Sequence, residues 1–326
     1  MPHQDGEPLL DVFKTLSLSR VEQRALRTST QMNLDPIPEQ LAFQHTVLCQ
    51  TSMPYRNQGD TVRKWEHRQG NVSLLIEAGT ALHPVTEVWI ELGLPFGPKP
   101  RLILAHLNAE ALRQGRPIIE VEDSLTAFVR RIQDPLGSGK SGPNGYEIGI
   151  FKDQLSRLAT ATIRLAITTG ERALQVNSQI VEAFDLWFTK DARQRVLWPS
   201  TIQLNERYFA SLQQHAVPLD ERALSALSHS AMGLDIYTWL AHRLHRIPQG
   251  KPQFIPWSQV KEQFGQGHKR MDNFRAVFLK ALQQVICQYQ EARLEEDLRG
   301  LTLFHSAPSV PPRPMLVVQS PVNSEM

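Results

Sequence analysis

The chain has 326 residues, 41% of them hydrophobic, a formal net charge of +2 and two cysteines far apart, Cys49 and Cys287. That length suits two domains, each able to bury a core, and a charge this mild excludes inferring a polyanion partner from composition alone. No C-x-x-C pair, no apolar run near the roughly 18 residues of a membrane span and no basic-then-apolar leader in MPHQDGEPLLDVF occur, so a zinc ribbon, a membrane protein and a secreted one are not expected.

In chain order, Val12, Leu16, Val21, Leu26 and Met32 are loosely spaced for a helix over residues 10 to 33, which the two prolines of MNLDPIPEQ end. VSLLIEAGTALHP reads as a strand and a turn, VTEVWIELGL as a further apolar stretch and LPFGPKPR as a breaker. RLILAHLNAEALRQG is helical, with its leucines and alanines mostly on one side, and PIIEV is a short strand. Asp123 or Ser124 can cap the next helix, 124 to 133. A helix centred on 147 to 160 follows, and RLAITTGERALQV gives two β-prone arms around Thr169-Gly170. Helix, strand, helix, loop, helix, hairpin is the order of a winged helix, a helix-turn-helix with a β-hairpin wing.

The loop inside that unit, DPLGSGKSGPNG (134–145), resembles the end of a phosphate-binding loop at Gly139, Lys140 and Ser141. The pattern's first glycine falls on Asp134, which adds negative charge where phosphates would sit. The segment before it, SLTAFVRRIQ, has helical rather than strand spacing, whereas a P-loop follows a buried strand. The expected role is a turn between two helices, with nucleotide hydrolysis as the competing reading.

The second half repeats the plan without close sequence repetition. STIQL is strand-like, Asn205 and Asp220 cap short helices, SAMGLDIYTWLAHRLHRI is a strongly apolar helix and PQGKPQFIP a connector. SQVKEQFG and a long helix from His268 to about Gln290 come next, and RLEEDLRGLTLF is a second, less clear wing. The tail SAPSVPPRPMLVVQSPVNSEM is rich in Pro and Ser, and disorder is expected there. The fold class is therefore α+β: tandem winged-helix domains, mostly helical with small β wings. The expected division is an N-terminal arm over 1–60, domains over 61–190 and 191–306, and a tail over 307–326.

Charge is concentrated in one place. Between Ala241 and Lys280 stand eight Lys and Arg against Glu262 and Asp272, a net of +6 in a nearly neutral protein. On the long helix, Met271, Phe274, Phe278, Ala281, Leu282, Val285 and Tyr289 step by threes and fours as one apolar face. Lys269, Asn273, Ala276 and Lys280 share the opposite side, flanked by Arg270. Lys and Arg suit phosphates and Asn suits adenine, so this is the pattern of a DNA-recognition helix, although a solvated face is what helix charges usually mean. In the first unit the candidate DNA-binding residues are Lys152, Ser156, Arg157 and Thr160 on the second helix, Arg130 and Arg131 before the loop, Lys140 in it and Arg164 opening the wing. A purely structural helix-turn-helix competes with that assignment.

Catalytic patterns are poor. His242 and His245 form the one close histidine pair, with no carboxylate or Cys at ligand spacing to complete a metal site. No G-x-S-x-G, H-E-x-x-H or H-x-H occurs. No enzymatic activity, cofactor or metal is expected.

Several blocks in order resemble plasmid-encoded RepA-type replication initiators: LCQTSMPYRN (48–57), GLPFGPKPRLILAHLNAEA (93–111), EDSLTAFVRRI (122–132), FKDQLSRLATATIRL (151–165), FDLWF (184–188), LWPSTIQL (197–204), AVPLDERALSAL (216–227) and SAMGLDIYTWLAHRL (230–244). The resemblance spans roughly residues 40 to 290. It implies binding to repeated double-stranded origin sites (iterons), melting of adjacent A·T-rich DNA, recruitment of the host replicative helicase and initiator proteins, and a monomer–dimer equilibrium in which dimers repress. It also implies a bacterial cytoplasmic location on the plasmid or nucleoid. A transcriptional repressor of the same fold without an origin role is the alternative.

Overall fold

The structure is a computed structural model that describes residues 19–83, 86–120, 124–134, 142–170, 172–183 and 201–311, with backbone alone at Arg20, 172–179, 182 and 183. Lys140 and the centre of its loop, the FDLWF block, the start of the helix expected from residue 10 and the tail from 312 lie outside the described residues. The architecture is mixed α+β, with small antiparallel sheets around buried helices.

The first helix, α1 (Arg20–Leu34), opens on a capping box: Ser19 accepts from the Glu22 amide and the Glu22 carboxylate accepts from Ser19. It stops at Asp35, ahead of Pro36. Next come β1 (Leu41–His45), α2 (Thr46–Gln50) and the hairpin of β2 (Lys64–Gln69) and β3 (Val72–Glu77). Its two-residue turn begins at Gly70, whose φ of 56° favours glycine. Strand β3 buries Val72, Leu74 and Ile76 in strict alternation. A second small ribbon pairs β4 (Thr80–Leu82) with β5 (Trp89–Glu91).

The helix predicted from RLILAHLNAEALRQG is α3 (Pro98–Gln114), with Pro98 in its first turn and Gly115 closing it in the left-handed conformation. Sequence spacing put its apolar residues on one side. The structure buries every residue from Pro100 to Ala109, polar Arg101, His106 and Asn108 included, so α3 is a central helix rather than an amphipathic surface one. Then follow β6 (Ile118–Glu120), α4 (Leu125–Gln133) capped by Ser124, and α5 (Gly145–Thr160) with a second capping box, Asn144 and Glu147. The expected hairpin is β7 (Thr162–Thr169) and β8 (Arg172–Gln179), followed by β9 (Val181–Ala183). Strand β7 also pairs with β3, so this hairpin belongs to a four-stranded sheet in the order β2-β3-β7-β8.

Beyond the undescribed stretch lie β10 (Thr201–Leu204), α6 (Glu206–His215), β11 (Ala216–Asp220), α7 (Glu221–Ala226) and α8 (Ala231–Arg243), which runs into a 3-10 turn at Leu244–Arg246. Asn205 and Asp220 cap α6 and α7 as expected. The predicted connector holds a strand, β12 (Gln253–Pro256), before α9 (Trp257–Phe264) and α10 (Met271–Ile286). Helix α10 is shorter at both ends than its periodicity predicts: Tyr289 is buried beyond the helix, and its hydroxyl donates to the Ala307 carbonyl at 2.6 Å. The less clear wing is a hairpin, β13 (Leu294–Glu296) and β14 (Gly300–Leu303), and β12 pairs with β14. Gly300 is required there, because a Cβ would stand 2.1 Å from the Ile255 carbonyl oxygen.

Behind α10 is an aromatic core. Phe264, Phe274 and Phe278 are fully buried, with Trp239 and Trp257 ring centroids 5.3 and 5.9 Å from Phe264 and Phe278. Burying each phenylalanine contributes about 1.5–3 kcal/mol. Several links join the halves of the chain, the pairing of β6 with β10 among them. Strand β1 pairs along its length with β11, and Arg101 of α3 meets Asp235 of α8 bidentately at 2.6 and 2.8 Å. The same guanidinium donates to the Met53 and Gly97 carbonyls, which satisfies a charge buried to 5% exposure.

Candidate nucleic-acid interface

Helix α10 presents its polar face to solvent because the opposite face is locked in the aromatic core. Lys269, Arg270, Asn273, Ala276 and Lys280 are all exposed, along the line the sequence predicted. Met271 departs from prediction: it was assigned to the apolar face and is 38% exposed at the helix start. Asp272 sits within this face, and Arg270 donates to it, Nε to carboxylate at 3.0 Å. That pairing, with the Asn273 amide, holds the Asp272 carboxyl below its usual range. Lys261 of α9 donates to the Lys269 carbonyl at 2.8 Å, fixing the turn between the two helices.

The other cations of the basic segment are partly engaged in packing. Arg275 lies 4.9 Å over the Trp257 ring and donates to the Glu296 carboxylate and the Asp297 carbonyl, bracing the β13–β14 hairpin against α10. Arg243 stacks near Trp239 and donates to Gln253. The two close histidines face different partners: His242 Nε2 lies 2.7 Å from Thr46 Oγ1, and His245 Nδ1 lies 3.0 Å from the Ala241 carbonyl. Burial, then the charges of Arg246, His245 and Arg243, push the His242 pKa down to about 3.

The first unit differs more from expectation. Ser156, expected on the outer face of α5, is buried to 9% exposure. Thr160 turns its hydroxyl back to the Ser156 carbonyl at 3.0 Å. Arg157 is clamped by Asp153 at 2.9 Å, by the Leu94 carbonyl and by stacking 5.4 Å over Phe96. The physical reason is the GLPFG segment. It lies along this flank of the helix, where buried Gln154 accepts from the Phe96 amide at 2.8 Å. Lys152 is half-buried, and burial lowers its pKa. Arg131 forms an ion pair with Glu221 of α7 at 2.9 Å, and Arg164 pairs with Glu77 across the sheet. Arg130 is exposed.

Helix α5 also offers solvent a stripe that sequence reasoning passed over, Gly145, Tyr146 and Gly149, in line with exposed Asp153. Tyr146 is 79% exposed. A Cβ on Gly149 would meet nothing within 4 Å. A glycine inside a helix costs about 1 kcal/mol relative to alanine, and here no neighbour requires it. That unexplained glycine, three residues from an exposed tyrosine, was the signal available in the sequence.

The family model described as plasmid encoded RepA protein matches residues 94–259. The chain belongs to this family, that of the RepA-type replication initiators its sequence blocks resemble. Two crystal structures of domains 2 and 3 of RctB are similar in chain path. One has a TM-score of 0.48 at 10% identity, covering 78% of this chain and 93% of that one. The other has a TM-score of 0.47 at 10% identity, covering 79% and 94%. No curated protein sequence matches this one.

Proposed function

We propose that this chain is a plasmid replication initiator that binds repeated origin sites through two winged-helix units, over about residues 61–190 and 191–306, and acts without catalysis. The exposed row Lys269, Arg270, Asn273, Ala276 and Lys280, leading into and along a helix fixed by an aromatic core, carries the reading. Cations there suit phosphates, and an amide beside a small residue suits a base edge in the major groove. In the second half, α8, β12, α9, α10 and the β13–β14 hairpin follow winged-helix order, with β12 paired to the hairpin. In the first half the order is the same, α3 to β8, but β6 pairs with β10 rather than with the hairpin. There the reading face is the Tyr146–Gly149 stripe with Arg130 and Lys140, and Ser156, Arg157, Thr160, Arg131 and Arg164 serve packing.

Melting of adjacent DNA, recruitment of the host helicase and a repressing dimer in the bacterial cytoplasm complete the proposal through family membership. Footprinting on DNA flanking the gene tests it. Protection recurring about every two helical turns is the expected result, and absence of protection refutes it. Replication of an origin plasmid when the protein is supplied in trans separates an initiator from a repressor. The competing use of GSGKS predicts ATP hydrolysis that Lys140→Ala abolishes.

A further inference from the structure

Helix α1 is held mainly by hydrogen bonds. Among its described side chains Ala25 is the one buried apolar residue, and Met32 is half-buried against the core. Arg24 makes the central connection. Its Nη2 donates to the Gln133 carbonyl at 2.7 Å and to Ser225 Oγ at 2.6 Å, and Nη1 reaches Ser228 Oγ at 3.3 Å. Ser225 Oγ itself donates to the same Gln133 carbonyl at 2.7 Å. Gln133 is the last residue of α4, the helix that leads into α5. On its other side, α1 is gripped just past the end of α10: Gln288 donates to the Ala25 carbonyl at 3.0 Å, and Gln290 to Ser29 Oγ at 2.6 Å. One short helix thus ties the end of α4 to the end of α10.

We propose that α1 is a strap that sets the spacing of the two DNA-reading helices, with Arg24 as its positioning residue. The inference rests on the DNA reading above and concerns no residue of the reading faces. Two modules on one site gain affinity jointly only while their separation matches that of their half-sites. Arg24 fixes that separation from α4's side through a carbonyl at a helix C-terminus, where the backbone dipole favours a cation. Because α1 buries little apolar surface, loss of its central bridge loosens the strap and leaves both cores folded.

The test uses the full chain, fluorescence anisotropy and the footprinted duplex, together with versions carrying one or two base pairs inserted at the site's centre. The wild type is expected to prefer native spacing strongly. Arg24→Ala, which removes the bridge, is expected to lose about tenfold on native spacing and little on the inserted duplexes, so the preference flattens; Ser225→Ala, which leaves the bond from Arg24 to the Gln133 carbonyl, is expected to flatten it less. Arg24→Lys, keeping one donor group, falls between. A role confined to stability lowers the melting temperature and scales all duplexes alike. An unchanged ratio of native to inserted affinity in both variants overturns the strap. If the wild type binds no duplex, the DNA reading itself fails, which is a separate and recognisable result.

Discussion

Gly149→Ala separates folding from function by moving them in opposite directions. The residue lies in the second turn of α5, its φ is not in the left-handed region, and a Cβ there meets nothing within 4 Å. The methyl therefore adds no clash, and the helix gains about 0.8–1 kcal/mol in propensity. In a chain of this length that raises the melting temperature by about 1–3 °C. If the Tyr146–Gly149 stripe lies against DNA, the same methyl stands between helix and groove, and affinity for the footprinted site falls. One mismatched contact costs about 1–3 kcal/mol, a loss of fivefold or more. Thermal unfolding by circular dichroism reads the first effect and anisotropy at fixed salt the second. A lower melting temperature refutes the packing argument. A higher one with unchanged affinity removes this face of α5 from the interface.

Three further outcomes follow from the geometry. Lys269→Ala combined with Lys280→Ala should weaken DNA binding and reduce the slope of log affinity against log salt by about 1.8, the value for two lost phosphate contacts; an unchanged slope excludes this face. Asp235→Ala leaves Arg101 buried without its partner and should cost about 3–5 kcal/mol in urea unfolding, whereas replacing the pair together with apolar residues should cost far less. Burial, aided by His215, depresses the His45 pKa to about 4 in the folded chain against an unfolded value near 6.5. The unfolded chain therefore takes up the proton first as pH drops. Stability is full above pH 6.5 and is lost as pH falls toward 4, and His45→Gln should flatten that part of the profile.

Local chemistry made much of the fold legible. Ser19, Ser124, Asn144, Asn205 and Asp220 occupy helix starts, and all five accept from amides two or three residues on, with no tertiary help required. Thr169-Gly170 marked its hairpin for the same reason. What escaped depends on distant partners. KWEHRQ is strand β2 although it is polar, because β3 supplies its hydrogen bonds and buries the other side of the sheet. The α10 face was readable because four large side chains, Phe274, Phe278, Leu282 and Val285, fix its rotation. On α5 the rotation is as its apolar residues predict, but Gln154 and Ser156 are also buried, and Gln154 accepts from the Phe96 amide, a contact no helical wheel anticipates. Arg157 and Arg131, two of the charged residues expected at DNA, also have partners within the protein that sequence does not reveal.

The pairing of β1 with β11 has a consequence for synthesis. Its partners Leu41 and Asp220, or His45 and Ala216, are 179 and 171 residues apart in the chain. At about 5–20 residues per second, a nascent chain carries β1 for roughly 10–35 s before β11 exists. Throughout that interval the strand emerges from the ribosome with an open edge and buried-type residues such as Ala42 and His45 uncovered. With β6–β10, it is one of the two ribbons that join the halves. Expression conditions that slow translation would lengthen this exposure in proportion.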